Sequence, residues 1–534
     1  MNSAFFEFNV ATSALFTAKN GLSVTSNNIA NASTKGYSRQ VVLQRASTPL
    51  PGVCGKGMIG TGSEVYGVDQ VREFYLDKKY WEQNATYGEY KEKNDQLELV
   101  ETIFNELASS GIASSVNDFF NSISGLTFSS GDGTYRTSVV NYAYAFAQNI
   151  NTYAETLKSQ QSDINDEVNT LVKKINSISD QIVSLNKQIY SMEIDGSHAN
   201  DLRDQRALLV DELSQYVNTE VSTVDTEYGE KFYVSINGQS LVSHFDNSKL
   251  ECVSRTNETA LDEDDVYGLY DIQWSSKIPF STTGLSGDLK GLLDLRDGNV
   301  LDKTTTGNGT GTGDDADADK GIGVVQNYKG IPYYIDRLNE FTQTIARAFN
   351  EGKYADGTDI KGIDGHIKGY DSYGNTGNLF FSYKGEDGKT VEDTELDYSK
   401  ITAFNFSVSD ALLKDSKRLA ASTSASSEES NNEIILQFTQ IKNENSLFKQ
   451  GNVLDFVNGV SSELAIDKKQ SENFDAFYEE MTLNTDNQRI SVSGVSLNEE
   501  MTSLIKYQQL YVASAKLMQS ISQIYDTTIN GLGV

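Results

Sequence analysis

The two ends of the chain carry matching apolar rhythms that no proline interrupts, and this pairing limits the fold more than any other feature. From Leu497, the residues Met501, Leu504, Gln508, Tyr511, Ala515, Met518, Ser522, Tyr525 and Ile529 recur at alternating steps of four and three. That spacing keeps one seam of an α-helix facing a partner helix. Phe5, Phe8, Leu15, Leu22 and Ile29 follow the same beat at the other end. A chain whose first and last segments are partner helices closes on itself, and everything between them becomes an insertion. Such a layout suits a subunit of a tubular assembly.

The C-terminal helix has a second apolar stripe at Leu510, Leu517, Ile521 and Ile524. Leu510 and Leu517 each sit one residue, about 100° around the helix, from a member of the first seam. One partner cannot cover both faces. Each uncovered Leu or Ile forgoes roughly 1.5 to 3 kcal/mol of burial, so either the rest of the chain or neighbouring subunits must supply a second surface. A core helix of a large domain would show the same seam. Isolated, such an apolar helix pair is expected to be disordered and to order on assembly.

Among 534 residues only Pro49, Pro51, Pro279 and Pro332 are proline, against an average usage of about 5%. Long helices can therefore run unbroken. The clearest follows Ile164, Val168, Leu171, Ile175, Ile178, Ile182, Leu185, Ile189 and Met192, a rod of about 43 Å at 1.5 Å per residue. Flanking helices are expected from Asp77 through Leu97, Val100, Ile103 and Leu107, and from Ala199 through Leu202, Leu209 and Leu213. After Asn218 the texture changes to short alternating runs punctuated by Gly238, Gly268, Gly284 and Gly287, which are strand and turn signals. Helical periodicity returns at Tyr334, Leu338, Phe341, Ile345 and Phe349, and again from Asn432 toward Met481. The expected architecture is α+β and multidomain. Residues 1–50 with 490–534 form a terminal coiled-coil assembly domain, and 51–217, 331–351 and 431–489 a helical-bundle trunk. Residues 218–330 form a β-rich insert, and 352–430 a second β-rich outer insert.

Lys and Arg number 44 against 75 Asp and Glu, a net charge of −31, which argues against nucleic acid or an anionic membrane as a partner. The two ends are close to neutral, with four basic and one acidic residue in 1–50 and two basic and three acidic in 490–534. The acid lies between them, as in a solvated body attached to a buried assembly zone, though an acidic soluble protein would share the same overall charge. With only Cys54 and Cys252, no disulfide framework follows and a thiolate zinc site is ruled out. Residues 1–18 contain Glu7 and no Lys or Arg, so the basic start of a cleaved secretory signal is missing. No apolar run approaches the ~18 residues of a membrane span.

Catalytic and ligand motifs fail on context. His198, His244 and His366 lie far apart without a His-Glu-x-x-His pair, so no catalytic or metal residue is assigned. Gly55, Gly57 and Gly60 spell Gly-x-Gly-x-x-Gly, but prolines stand where the preceding strand should be and strand-like residues where the helix should be. Asp315, Asp317 and Asp319 alternate as in a calcium loop, with Lys320 at the turn-glycine position and Gln326 in place of the bidentate Glu. The residues favour a solvated acidic loop there. Asn257 and Asn308 open short glycosylation sequons that chance also produces.

The stretch Ser26-Asn27-Asn28-Ile29-Ala30-Asn31-Ala32-Ser33-Thr34-Lys35-Gly36-Tyr37-Ser38-Arg39-Gln40 resembles the N-terminal signature of bacterial flagellar axial proteins. Its Gly-Tyr-Ser-Arg-Gln ending is similar to that of the hook-associated protein family at the hook-filament junction. Three further islands agree: Asn200-Asp201-Leu202-Arg203-Asp204-Gln205-Arg206, Gly287-Asp288-Leu289-Lys290-Gly291-Leu292-Leu293-Asp294-Leu295-Arg296-Asp297, and Ser493-Gly494-Val495-Ser496-Leu497-Asn498-Glu499-Glu500-Met501. The segments 302–321 and 352–400 match no part of the pattern.

This resemblance implies a non-enzymatic, cofactor-free structural subunit, exported through the flagellar type III apparatus and located outside the cell in the flagellum. Its partners would be copies of itself in a helical ring, the hook protein, the neighbouring hook-associated protein on the filament side and an export chaperone. Nucleic acid and membrane insertion are not expected. Leu15, Leu22 and Ile29 with Leu497, Met501, Leu504, Tyr507, Tyr511, Leu517 and Ile521 would form the assembly and chaperone interface. Asn27, Asn28 and Asn31 would end the N-terminal helix, since Asn readily leaves helical geometry to bond nearby backbone. Another axial subunit, such as a hook protein, or a secreted coiled-coil adhesin, would fit the same helical ends.

Overall fold

The computed structural model describes residues 6–51, 57–105, 111–194, 196–226, 229–256, 259–262, 264–298, 329–385, 387–425 and 431–531. Cys54, Gly55, Leu107, Asn257, Asn308 and the Asp315 to Asp319 loop lie outside them, as does Phe5.

Helix α1 (Phe6–Ala30) leads into β1 (Gln40–Ala46), β2 (Leu50–Pro51), β3 (Met58–Ile59) and β4 (Ser63–Gln70). Strands β1 and β4 pair antiparallel from Gln40 opposite Gln70 to Ala46 opposite Ser63, with a bulge after Leu43. They lie on α1, where the Thr17 and Ser63 hydroxyls meet at 3.1 Å. Residues 51–70, expected in the helical trunk, therefore form strands that belong with the terminal helix. The alternation from Ser63 to Val68 favours a strand, and α1 supplies the surface it covers.

The trunk comprises α2 (Phe74–Asn105), α3 (Ile112–Thr127), α4 (Gly133–Glu193) and α5 (Asn200–Tyr216). Helix α4 runs unbroken for 61 residues, about 92 Å, and begins far upstream of the expected rod. The Asp132 side chain caps it by accepting from Thr134 N at 2.8 Å. Along it Ile150, Leu157, Ile164, Val168, Ile175, Ile182 and Ile189 are buried.

A four-stranded antiparallel sheet follows in the order β5 (Glu220–Thr226), β6 (Gly229–Ile236), β7 (Gln239–Ser243) and β8 (Asp246–Asn247). A second antiparallel pair joins β9 (Leu250–Ser254) to β10 (Tyr270–Trp274). Both sit on α4: Asn176 on that helix donates to Leu250 O at 2.8 Å and accepts from Leu250 N at 2.9 Å. Helices α6 (Asp288–Asp297) and α7 (Ile331–Glu351) return the chain to the trunk. Pro332 in the first turn of α7 and left-handed Gly352 after its last set that helix's limits.

The described residues of 352–430 form the strand pair β11 (Phe381–Tyr383) and β12 (Phe406–Val408), the short helix α8 (Asp410–Lys414) and three single 3-10 turns, joined by loops. This stretch is not an outer layer. Phe380, Phe381 and Phe406 are fully buried and pack with Phe119 of α3, Phe146 of α4 and Phe349 of α7; Phe381 and Phe406 stack at 4.8 Å. Aromatic side chains bury enough area to order a stretch that has little backbone ladder of its own. Helix α9 (Glu433–Ile441) adds Phe438, 5.0 Å from Phe349. Helix α10 (Val453–Ser493) opens on an Asn452/Asp455 capping box and pairs along α2, and α11 (Leu497–Asp526) runs back beside α1.

One contiguous apolar core, from Trp81 to Leu464, joins the trunk, both strand modules and the aromatic stretch. The buried residues of α1 and α11 are outside it.

His366 lies fully buried in that core, with Nδ1 donating to Asn378 O at 2.7 Å and Nε2 accepting from Ala420 N at 2.8 Å. Burial drives its pKa down to about 4. The fold therefore favours the neutral ring, and that stability is complete above the ordinary value of 6.5 and lost as pH falls toward 4. Replacing His366 with Gln keeps a donor and an acceptor while removing the titration. In denaturant unfolding, the stability advantage of the native chain over His366→Gln should shrink by about 3 kcal/mol between pH 7 and pH 4.

A terminal helix pair and its polar joint

Helices α1 and α11 pack antiparallel along a line of small side chains. On α1 the buried residues are Ala11, Thr17, Ala18, Gly21, Thr25 and Asn28; on α11 they are Glu500, Ser514 and Ile521. Gly21 lies under the ring of Tyr507, so closely that a β-carbon there would fall 2.5 Å from ring atoms. Two turns along, Asn28 Nδ2 donates to Glu500 Oε2 at 3.1 Å. The same register brings Ala14 level with Ser514. Small residues let two helix backbones approach closely, and the contact is then made by backbone and by neighbouring larger chains.

The expected seam residues lie beside this buried line rather than in it. Leu15, Leu22 and Ile29 stand one position away from the buried line and are half-buried. On α11, Leu504 and Tyr507 are half-buried and Ile521 is buried, whereas Leu497, Met501, Tyr511 and Leu517 are exposed at 46, 53, 38 and 50%. Ile505, Val512 and Ile524 are exposed beside them. The apolar rhythm is real, but its largest members point away from the intramolecular partner.

The three asparagines differ in their work. Asn31 Nδ2 donates to Asn27 O at 3.0 Å and closes the end of α1. Asn27 Nδ2 donates to the Tyr37 hydroxyl at 3.3 Å, and that hydroxyl donates to Asn28 Oδ1 at 2.9 Å. Asn28, buried, also bonds both backbone groups of Gln40, accepting from its N–H at 3.0 Å and donating to its carbonyl at 2.9 Å. It thus serves β1 as a neighbouring strand would. Burial and the fields of Asp201, Asp204 and Glu500 push the Tyr37 hydroxyl up to about 12, so it stays a donor.

The loop after α1 docks on one face of α5, which presents Asp201, Asp204, Leu208 and Asp211. Gly36, at φ +79°, sits against Leu208, where any side chain would collide. Asp204 accepts from Ser38 N and Ser38 Oγ, both at 2.7 Å, and Asp201 accepts from Gln40 Nε2 at 2.7 Å. Asn200 Nδ2 reaches Val68 O of β4 at 3.0 Å. The Gly-Tyr-Ser-Arg-Gln and Asn-Asp-Leu-Arg-Asp islands, far apart in sequence, are two halves of one joint. The third island completes it: Arg39 N donates to Ser493 O at 2.7 Å, and its guanidinium pairs with Glu499 at 2.9 Å.

Two guanidiniums brace the trunk side. Arg489, near the end of α10, grips Asp211 bidentately at 3.0 and 2.7 Å and lies 4.0 Å from the Tyr80 ring centre. Trp81 Nε1 donates to the same Asp211 at 2.6 Å. Arg72 binds Asp77 at 2.7 Å and reaches Asp204 at 3.4 Å. Burial opposes the charge on Arg489, but the bonds and fields of Asp211 and Asp77 outweigh it and raise its pKa. A cleft of about 840 Å³ lies between the loop after α1, α5 and the end of α10. Sequence reasoning did not single out Arg72, Asp77, Asp211 or Arg489. Each is one ordinary surface-type charge in its own segment, and its partner is up to 278 residues away.

Of the three histidines, His198 is exposed, His244 stacks on Phe245 at 3.9 Å, and His366 is the core clamp described above. Gly57 and Gly60 flank β3. Among the described residues, no group of three or more His, Cys, Asp or Glu is placed to hold a metal ion, and no helix is long and apolar enough to cross a membrane.

Arg489→Met should cost about 3 kcal/mol in denaturant unfolding, since it leaves the half-buried Asp211 without its cation. In a double-mutant cycle, Asp211→Asn should recover much of that loss.

The comparisons follow the same division of the chain. Residues 97–381 match the family model of the flagellar hook-associated protein FlgK helical domain. Residues 8–37, which hold α1 and its docking loop, match that of the flagella basal body rod protein. Residues 486–531, from Asp486 beside Arg489 through α11, match the flagellar basal body rod FlgEFG protein C-terminal model. Flagellar hook-associated protein 1 of Bacillus subtilis is 29% identical, with 100% of this chain and 99% of the relative covered. The protein of the same name from Salmonella typhimurium is 28% identical, with 98% and 99% covered. The solved flagellar hook junction protein FlgK of Burkholderia pseudomallei shares the fold at a TM-score of 0.55 and 14% identity, over 79% of this chain and 100% of that one. With the helical-domain match spanning more than half of its length, and rod-type matches on both paired termini, the chain belongs to the FlgK family of flagellar hook-associated proteins, structural subunits of the bacterial flagellar axis.

Proposed function

We propose that this subunit joins hook to filament by polymerising through α1 and α11. The observation that carries the reading is the outward apolar face of α11. Leu497, Met501, Ile505, Val512, Leu517 and Ile524 are all 45% or more exposed, beside an α1 that covers only the small-residue seam. Each would gain roughly 1.5 to 3 kcal/mol on burial, and contact with sister copies around a common axis supplies that burial. The role is mechanical and includes no catalytic step.

The partners follow from the position in the axis. Hook protein lies on one side and another hook-associated protein on the filament side, both outside the cell. Before assembly the same face must be shielded, and an export chaperone that covers Leu497, Met501, Leu504, Tyr507, Tyr511, Leu517 and Ile521 would serve. The assembly zone comprises 1–50 and 490–534, and the strand pair to residue 70 travels with it.

A strain without the gene should carry hooks that lack filaments and should release flagellin into the medium, as seen by electron microscopy and immunoblotting. Normal filaments would remove the assignment. Truncation after Tyr511 should abolish polymerisation while the trunk's thermal transition is retained, because the core ends at Leu464. Loss of that transition would contradict the separation of assembly zone and trunk.

A further inference from the structure

Away from the terminal pair, α6 lies directly on the backbone of α2. A β-carbon at Gly88 would fall 2.5 Å from Asp288 Oδ1, and one at Gly291 would fall 2.8 Å from Glu92 Cβ and from Glu89 O. At this tight contact Glu92 and Asp288 are half-buried, Glu167 lies at the exposed rim, and amides bridge the carboxylates. Gln96 Nε2 donates to Glu92 Oε1 at 2.9 Å and to Glu167 Oε2 of α4 at 3.0 Å, while Gln160 donates to Gln96 Oε1 at 2.9 Å. Asp288 Oδ1 is buried without a hydrogen-bond partner, and its Oδ2 receives only a long contact of 3.5 Å from Gln215.

Acids elsewhere in the trunk have cations: Asp204 has Arg72, Asp294 has Lys93 and Lys290, and Asp297 has Arg255 and Arg296. Glu92, Glu167 and Asp288 have no Lys or Arg within ion-pair distance among the described residues. The charged groups that face them are Asp95, Glu89, Lys91 and Lys93 from α2, Glu167 and Lys174 from α4, and Asp288 and Asp294 from α6. From α5 the neutral Gln215 faces the cluster. Lys93 is already committed to Asp294 and Glu89.

We propose that the α2–α4–α6 contact is a proton-sensitive latch, closed when Glu92 holds a proton and loosened when it gives that proton to water. A protonated Glu92 sits among Glu167, Asp288 and Asp95 without repulsion and with no buried charge to desolvate. The ionised form must tolerate both, and undocking of α6 is the motion that relieves them. Since α6 connects the β9–β10 module to the trunk, the latch couples the proton concentration around the protein to how firmly that module is held.

The pKa values agree with the geometry. Burial first, then Glu167, Asp288 and Asp95, push Glu92 up to about 7; burial pushes Asp288 up to about 6. A folded-state value above the unfolded one gives stability that is complete below the unfolded value and lost as pH rises through the folded one. The window therefore runs from the ordinary 4.5 to about 7 and above.

Amide hydrogen exchange on the full chain tests the latch. After correction for intrinsic exchange, the opening constant of the α6 amides should rise about tenfold from pH 6 to pH 8, while α9 amides serve as an internal reference. Glu92→Gln preserves size and hydrogen bonding and should hold α6 closed at both pH values. Asp288→Asn, which removes one neighbouring negative charge, should keep the transition and move its midpoint downward, because less repulsion then opposes ionisation of Glu92. An equal opening constant at the two pH values in the native chain, a pH dependence that survives in Glu92→Gln, or an unmoved midpoint in Asp288→Asn would overturn the proposal.

Discussion

The close approach of α1 and α11 constrains everything else in this molecule. Two helices that touch through Ala11, Ala18, Gly21, Thr25 and Ser514 bury little side-chain area between them. The pair has no independent apolar core, and its large residues are displaced outward. The uncovered face of α11 is a direct result of how tightly its other face is engaged. A wider seam built from leucines would have made a more self-sufficient hairpin and left less apolar surface for other copies.

Because the seam is thin, the pair depends on the joint at its base. That joint is polar: Asp204 holds the Ser38 backbone and hydroxyl, Asn28 holds Gln40, and Arg489 holds Asp211. Hydrogen bonds fix direction and distance better than apolar contact does, and they fix the angle at which the helix pair leaves the trunk. The trunk follows the opposite rule, with one core from Trp81 to Leu464 in which stacked and edge-on phenylalanines bind α3, α4, α7, α9 and α10 to the aromatic stretch. A rigid body with a directional joint and a greasy outer helix suits a structural subunit of the flagellar axis.

Charge follows the same partition. The acid of the chain is concentrated on the trunk and its inserts, where it is solvated or paired, and the terminal helices are close to neutral. Low charge on the terminal helices suits the proposed packing against sister copies, since like charges would be repeated at each contact. The unusual place is the α2–α6 contact, where Glu92 and Asp288 are half-buried with no ion-pair partner among the described residues.

Sequence determined the helices themselves. The four-and-three rhythm of α4 and α11, the near absence of proline and the glycine punctuation after Asn218 follow from local periodicity, which a linear reading can see. The islands around Gly36, Asp204 and Gly494 were also visible as motifs. Their meeting was not, because Ser38 and Asp204 are 166 residues apart and nothing local announces that bond. Nor could periodicity choose between adjacent lines on α1: Leu15 and Leu22 mark the greasier stripe, yet Ala18 and Gly21 win the contact because only they let the backbones close. Phe380, Phe381 and Phe406 sit in a stretch that reads as outer β-structure and becomes core only when three helices surround it. Local pattern decides which segments are helical; which face is covered depends on the shape of a partner that only the folded chain supplies.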